Sequence, residues 1–100
     1  MKKPKGKNIE VKAFERELYE EFGYFFCQES GRSNDAPFSV HHLIFKSEKP
    51  NHKEINNKRN LIMLGFTEHK KAHQNKHEWR AKYIKERNLV ELFGNDIIKH

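Results

Sequence analysis

The sequence predicts a small α+β domain in which a strand, a loop, a second strand and a helix are flanked by an N-terminal amphipathic helix and a C-terminal helical segment. Three observations predict it. Apolar residues recur at helical spacing from Ile9 to Phe22. Two runs rich in branched or aromatic side chains, Phe38–Phe45 and Leu61–Leu64, are separated by a polar stretch. A charged segment with a helix start near Thr67 follows the second run. A chain of 100 residues holds one core. Residues 1–8 are read as a basic flexible tail and 9–100 as a single domain.

In the first helix Val11, Phe14, Leu18 and Phe22 fall three or four apart, with Glu and Lys between them, which is the stripe of a helix packed on a core. Asn8 is the expected N-cap and Gly23 the expected left-handed residue after the last turn. Tyr24–Cys27 reads as a short buried strand, and Gly31, Ser33, Asn34, Asp35 and Pro37 supply the chemistry of a reversal. Phe38–Phe45 is expected as a strand. Residues 46–60, with Pro50 and several Asn, form a loop, Leu61–Leu64 a second strand and Gly65 a turn. With Thr67 as cap, one helix should run through Trp79 and Tyr83 toward Arg87. Leu89, Val90, Leu92 and Phe93 form a last apolar cluster expected to pack on the first helix and to stop at Gly94.

Composition narrows the partners. Lys and Arg number 20 against 14 Asp and Glu, a formal charge of +6. Residues 8–35 carry three cations against seven anions, which cancels the basic tail, so the surplus sits in residues 36–100 with thirteen cations against seven anions. An anionic partner is expected there. No apolar run approaches the ~20 residues of a membrane span, and Met-Lys-Lys-Pro is not followed by the apolar stretch of a secretory signal. A soluble cytoplasmic protein with no membrane partner is the expectation. Cys27 is the single cysteine, so an internal disulfide and any zinc module built on two thiolates are excluded. It reads as a small buried hydrophobe.

Any metal must therefore be held mainly by histidine, of which there are seven. His69 and His73 are four apart on the expected helix, so both rings share one face and can chelate one divalent ion, although a solvated face would have the same spacing. His41 and His42 are adjacent on the expected strand, so they turn to opposite faces. One can bind a metal while its neighbour does other work. His52 in the loop and His77, a turn beyond His73, read as solvated.

Three blocks in this order carry a resemblance: Ser39-Val40-His41-His42-Leu43-Ile44, Arg59-Asn60-Leu61-Ile62-Met63-Leu64 and His69-Lys70-Lys71-Ala72-His73. The chain here resembles the HNH nuclease family, whose ββα-metal (His-Me finger) fold has this succession of elements, over residues 38 to about 77. The resemblance implies that His41, His69 and His73 hold a divalent ion in the manner of three-histidine members such as the colicin-type DNases, that His42 is the general base, and that Asn60 hydrogen-bonds across the loop to keep the strands and His42 in register. Many members also carry two Cys-x-x-Cys pairs around a structural zinc. Here Ser30 stands where the partner of Cys27 would sit and Gly65-Phe66-Thr67-Glu68 replaces the other pair, so no structural zinc is expected.

The function so implied is metal-dependent hydrolysis of phosphodiester bonds in double-stranded DNA, leaving 5′-phosphate and 3′-hydroxyl ends. A monomer or weak dimer is expected; a lone monomer with one site should nick one strand per encounter with weak sequence preference, while double-strand breaks would need a dimer or repeated nicks. Mg2+, Mn2+, Ni2+ and Zn2+ all fit a site of imidazoles and phosphate oxygens. Lys46, Lys58, Arg59, Lys70 and Lys71 are candidates for phosphate contact, and each could equally be a plain surface charge. The alternatives are a metal-stabilised nucleic-acid-binding module without catalysis and an RNA-directed nuclease. The composition, rich in Lys and Asn, looks like that of bacterial mobile-element or bacteriophage products.

Overall fold

The computed structural model describes residues 6–98. Helix α1 spans Gly6–Phe22, strand β1 Ser39–His42, strand β2 Leu61–Leu64, helix α2 Phe66–Gln74, helix α3 Lys76–Glu86 and helix α4 Leu89–Phe93. Short 3-10 turns cover Lys58–Asn60 and Asn95–Ile97. The result is a small α+β unit with four helices and a two-stranded antiparallel sheet among the described residues. Of the stretch read as a tail, residues 1–5 lie outside the described residues. Gly6–Asn8 instead form the first turn of α1, so Asn8 lies inside the helix rather than capping it.

β1 pairs with β2 in the register Ser39 with Leu64, Val40 with Met63, His41 with Ile62 and His42 with Leu61. Every residue of β2 is buried. Its side chains alternate: Ile62 and Leu64 enter the main core with Leu43, Ile44, Ala72, Tyr83, Leu89 and Phe93, while α1 packs on the strand with Phe14 buried. A strand covered on both faces reads as a continuous apolar run, which is how Leu-Ile-Met-Leu appears in the sequence.

Several elements differ from expectation, each for a local reason. β1 ends at His42 because Leu43 and Ile44 leave the ladder, their N–H groups turning to the carbonyl and the side-chain Oδ1 of Asn60. Tyr24–Cys27 is not a strand. Only Cys27 is fully buried there, Tyr24 and Phe25 are exposed, and the segment hangs on β2 through Gln28, whose N–H donates to Met63 O while its Oε1 accepts from Met63 N. Gly23 does end α1 in the left-handed region at φ +81°, but Phe22, the last residue of the stripe, is exposed.

The cap of α2 comes from far away in sequence. Asp35 O accepts from Phe66 N, and the Asp35 carboxylate accepts from both Thr67 N and Thr67 Oγ1. That satisfies orphan N–H groups and places a negative charge at the helix start. Thr67 is thus capped rather than capping. A Cβ on Gly65 would meet Asp35 O at 2.7 Å, so this close approach requires glycine. The expected single helix from Thr67 to Arg87 breaks at Asn75, whose φ of −140° is not helical, into α2 and α3. The break turns Trp79 and Arg80 back under β1. The C-terminal cluster is helical but packs with α3 and Ile97 in the main core, whereas the principal partner of α1 is β2.

Candidate metal centre

Ser39 and His41 are two apart on β1 and share the face toward α2. His69 and His73 are one turn apart on α2 and look back at that face. The ring of His41 meets those of His69 and His73 edge-on, with centroids 5.3 and 5.2 Å away. Phe45 and Trp79 border the other sides of the His41 ring. One nitrogen from each of the three histidines falls within 4.8 Å of the others, close enough to hold a metal ion. Among the described residues no fourth His, Cys, Asp or Glu joins the group.

The geometry suits a shared ion. His69 Nε2 and His73 Nε2 are 3.1 Å apart, near the roughly 3.3 Å separating two imidazole nitrogens on a tetrahedral ion at about 2.0–2.1 Å. His69 Nδ1 lies 3.3 Å from Ser39 Oγ. A hydroxyl there can accept Nδ1–H and so aim the Nε2 lone pair at the centre, the usual support of a ligating imidazole. Burial, followed by the neighbouring His69 and His73 rings, pushes the His41 imidazole down to about 3. Burial and then His73 push His69 down as well. These rings are therefore neutral at physiological pH with lone pairs ready to coordinate, and neutral nitrogen donors fit Zn2+, Ni2+ and similar ions.

The cluster opens onto a cleft of about 280 Å³ lined by His41, His42, His69 and His73 with Phe45, Lys46 and Ser47. His42 alternates with His41 along β1, yet both residues line this cleft. His42 Nε2 lies 2.7 Å from Oδ1 of Asn56, a residue only 4% exposed. Asn60 is wholly buried and does not line the cleft. Its Oδ1 accepts from Ile44 N and its Nδ2 donates to Ile44 O and Ile55 O, which ties the two ends of the 46–60 loop together.

The cationic candidates separate. Lys46 stands on the cleft rim and Lys70 is exposed on α2 beside His69. Lys71 is paired with Glu68. Lys58 is paired with Glu17 of α1. Arg59 donates to the carbonyls of Arg87 and Asn88 and pairs with Glu91, so it clamps the α3–α4 turn. Neither Lys58 nor Arg59 reaches the cleft. His52 accepts from Glu54 N and packs on Phe93, and His77 lies outside the cluster, 3.4 Å from Arg80.

Residues outside the sequence motif carry much of the support. Arg80, 1% exposed, donates to Leu43 O and makes a two-pronged pair with Glu48, whose carboxylate also accepts from Phe45 N. Trp79 Nε1 donates to Glu68. The role of Ser39 is readable from its strand spacing to His41. Asn56, Arg80 and Glu48 carry no local signal, because each acquires its role from a partner distant in sequence. Compared with known proteins, the chain matches no family model, no curated protein and no solved structure, so its functional reading rests on this site.

Proposed function

We propose that the chain is a metal-dependent DNA endonuclease of the HNH kind, its ββα-metal core formed by β1, the braced loop, β2 and α2. The observation that carries this reading is one open cleft in which three imidazole nitrogens converge and which a fourth histidine, His42, also lines without joining the convergence. A purely structural site is closed by a fourth protein donor, whereas three neutral donors leave positions for substrate oxygens. A binding module would have no use for a base next to the ion.

In this reading His41, His69 and His73 would hold one divalent ion, Zn2+, Ni2+, Mn2+ or Mg2+, which supplies Lewis-acid neutralisation of the charge that gathers on the phosphate and on the departing 3′ oxygen. His42 takes a proton from the attacking water at neutral pH. A new P–O bond forms as the bond to the 3′ oxygen breaks, and that oxygen leaves with a proton from solvent. The ends are 5′-phosphate and 3′-hydroxyl. Lys46 on the rim and Lys70 on α2 attract the phosphate backbone, a contact that carries no base information. Double-stranded DNA nicked with weak sequence preference is therefore the substrate and product class.

Supercoiled plasmid incubated with each of the four ions, with EDTA as control and with structured RNA as a parallel substrate, tests the reading. Open circles should accumulate only with metal, and His42→Ala should slow cutting by about 10²–10⁴-fold, the usual contribution of a general base. Cutting by His42→Ala at the wild-type rate would remove His42 from the chemistry. Metal-dependent folding with no cleavage would favour the binding module, and preferential loss of RNA would make the chain a ribonuclease.

A further inference from the structure

We propose that Asn56 is the positioning residue for His42, fixing both the direction of its ring and the nitrogen that takes the proton. The inference rests on the role given to His42 above and names a residue that the sequence motif does not contain. An amide oxygen can only accept a hydrogen bond. With Asn56 Oδ1 2.7 Å from His42 Nε2, that nitrogen must carry its hydrogen, so a proton removed from water has to arrive at Nδ1. When it does, the ring becomes cationic and the Nε2–H···O bond becomes charge-assisted, holding the imidazolium in the same orientation.

Asn56 can act this way because it is itself held. It is 4% exposed, and neighbouring Ile55 is 6% exposed. On one side Ile55 O accepts from Asn60 Nδ2, at 2.9 Å. On the other, Asn57 N donates to Glu54 O and Asn57 O accepts from Asn60 N. The Asn57 side chain accepts from Arg59 N and donates to Glu54. Asn56 is thus gripped between two segments that Asn60 braces. Asn60 reaches His42 through this relay, from its own amide to the Ile55 carbonyl to Asn56 to the ring. That explains how a residue remote from the cleft can govern the base, a link that spacing alone does not reveal.

The test uses the full chain loaded with Zn2+ or Ni2+ and compares wild type with Asn56→Leu, which keeps the bulk and loses the acceptor, and Asn56→Asp, which keeps the acceptor. Nicking rate, KM for plasmid, melting temperature and metal affinity are measured for each. In wild type labelled with 15N-histidine, NMR on the diamagnetic Zn2+ form should reveal a His42 Nε2–H resonance protected from exchange. Asn56→Leu should lose that resonance and about 10²-fold in kcat, the lower end of a general base's contribution, with KM and metal affinity unchanged. Asn56→Asp should retain both. Wild-type kcat in the Leu variant, or a wild-type His42 protonated at Nδ1 instead, would overturn the positioning role. The NMR result holds even if the Leu variant fails to fold. Absence of cleavage by the wild-type protein would instead overturn the nuclease reading itself.

Discussion

Ser39 supplies the sharpest prediction at the scale of single residues. Its hydroxyl lies beside Nδ1 of His69 and touches none of the converging nitrogens. Ser39→Ala should therefore weaken binding of Zn2+ or Ni2+ by about 10–100-fold, as loss of a supporting partner does at other histidine sites. Titration calorimetry at neutral pH measures it, and an unchanged affinity would mean that the helix alone orients His69. Helix spacing put His69 and His73 on one face, whereas the choice of His41 over His42 as their companion came from the resemblance of the three sequence blocks, and the structure brings those three rings together. The partners of the cations were not legible. Lys58 and Arg59 look like DNA-binding residues beside Asn60, but Glu17, Glu91 and two carbonyls from the α3–α4 turn occupy them. Those partners lie many residues away, and no local pattern announces them.

At the scale of elements, the turn after β1 is held by the ion pair between buried Arg80 and half-buried Glu48 as well as by the burial of Leu43 and Ile44. Partial burial by itself raises the Glu48 carboxyl, but hydrogen bonds from Arg80 and the Phe45 N–H, with the charges of Arg80 and Lys76, outweigh it and bring it from its ordinary 4.5 to about 2. A carboxyl depressed on folding stabilises the native state fully above its unfolded value, and this contribution is lost as pH falls through the folded one. Stability should thus decline between about pH 4.5 and pH 2, and Glu48→Gln should flatten that limb. At neutral pH the substitution should cost on the order of 2 kcal/mol, less than the roughly 3–5 of a fully buried pair because Glu48 is partly wetted. Urea melts across this pH range test both statements. Helical periodicity could not reveal the pair, since an Arg among Lys and Glu on α3 reads as solvated surface. The same blindness merged α2 and α3 into one helix. The sequence offers only Asn75 at the break, beyond which Trp79 packs edge-on against His41.

At the scale of the whole molecule, the placement of positive charge is what bears on the proposed chemistry. The described residues form a flattened body of 36 × 36 × 23 Å, with no helix among them long and apolar enough to cross a membrane. Of the positive surplus read from the second two thirds of the chain, Lys46 lines the cleft and Lys70 is exposed on α2 next to His69 in sequence. Replacing both with Ala should weaken plasmid binding at low salt and reduce the slope of log K against log salt by about 0.9 for each phosphate no longer neutralised, while leaving metal affinity intact. An unchanged slope would place the DNA track elsewhere. The first helix, the two strands and the helical stretch after them were legible at this scale because turn chemistry bounds their apolar runs, whereas the expected strand at Tyr24–Cys27 is absent and the helix after β2 is divided in two. The capping of α2 by Asp35 was not legible, since it joins segments 32 residues apart.

The decisive measurement is anomalous scattering, recorded at the metal edge, from crystals soaked with Zn2+ or Ni2+. A single ion should appear, bound by one nitrogen each of His41, His69 and His73 at about 2.0–2.1 Å, its remaining positions open to the cleft beside His42. An ion bound elsewhere, or one sealed by a fourth protein donor, would contradict the proposed centre.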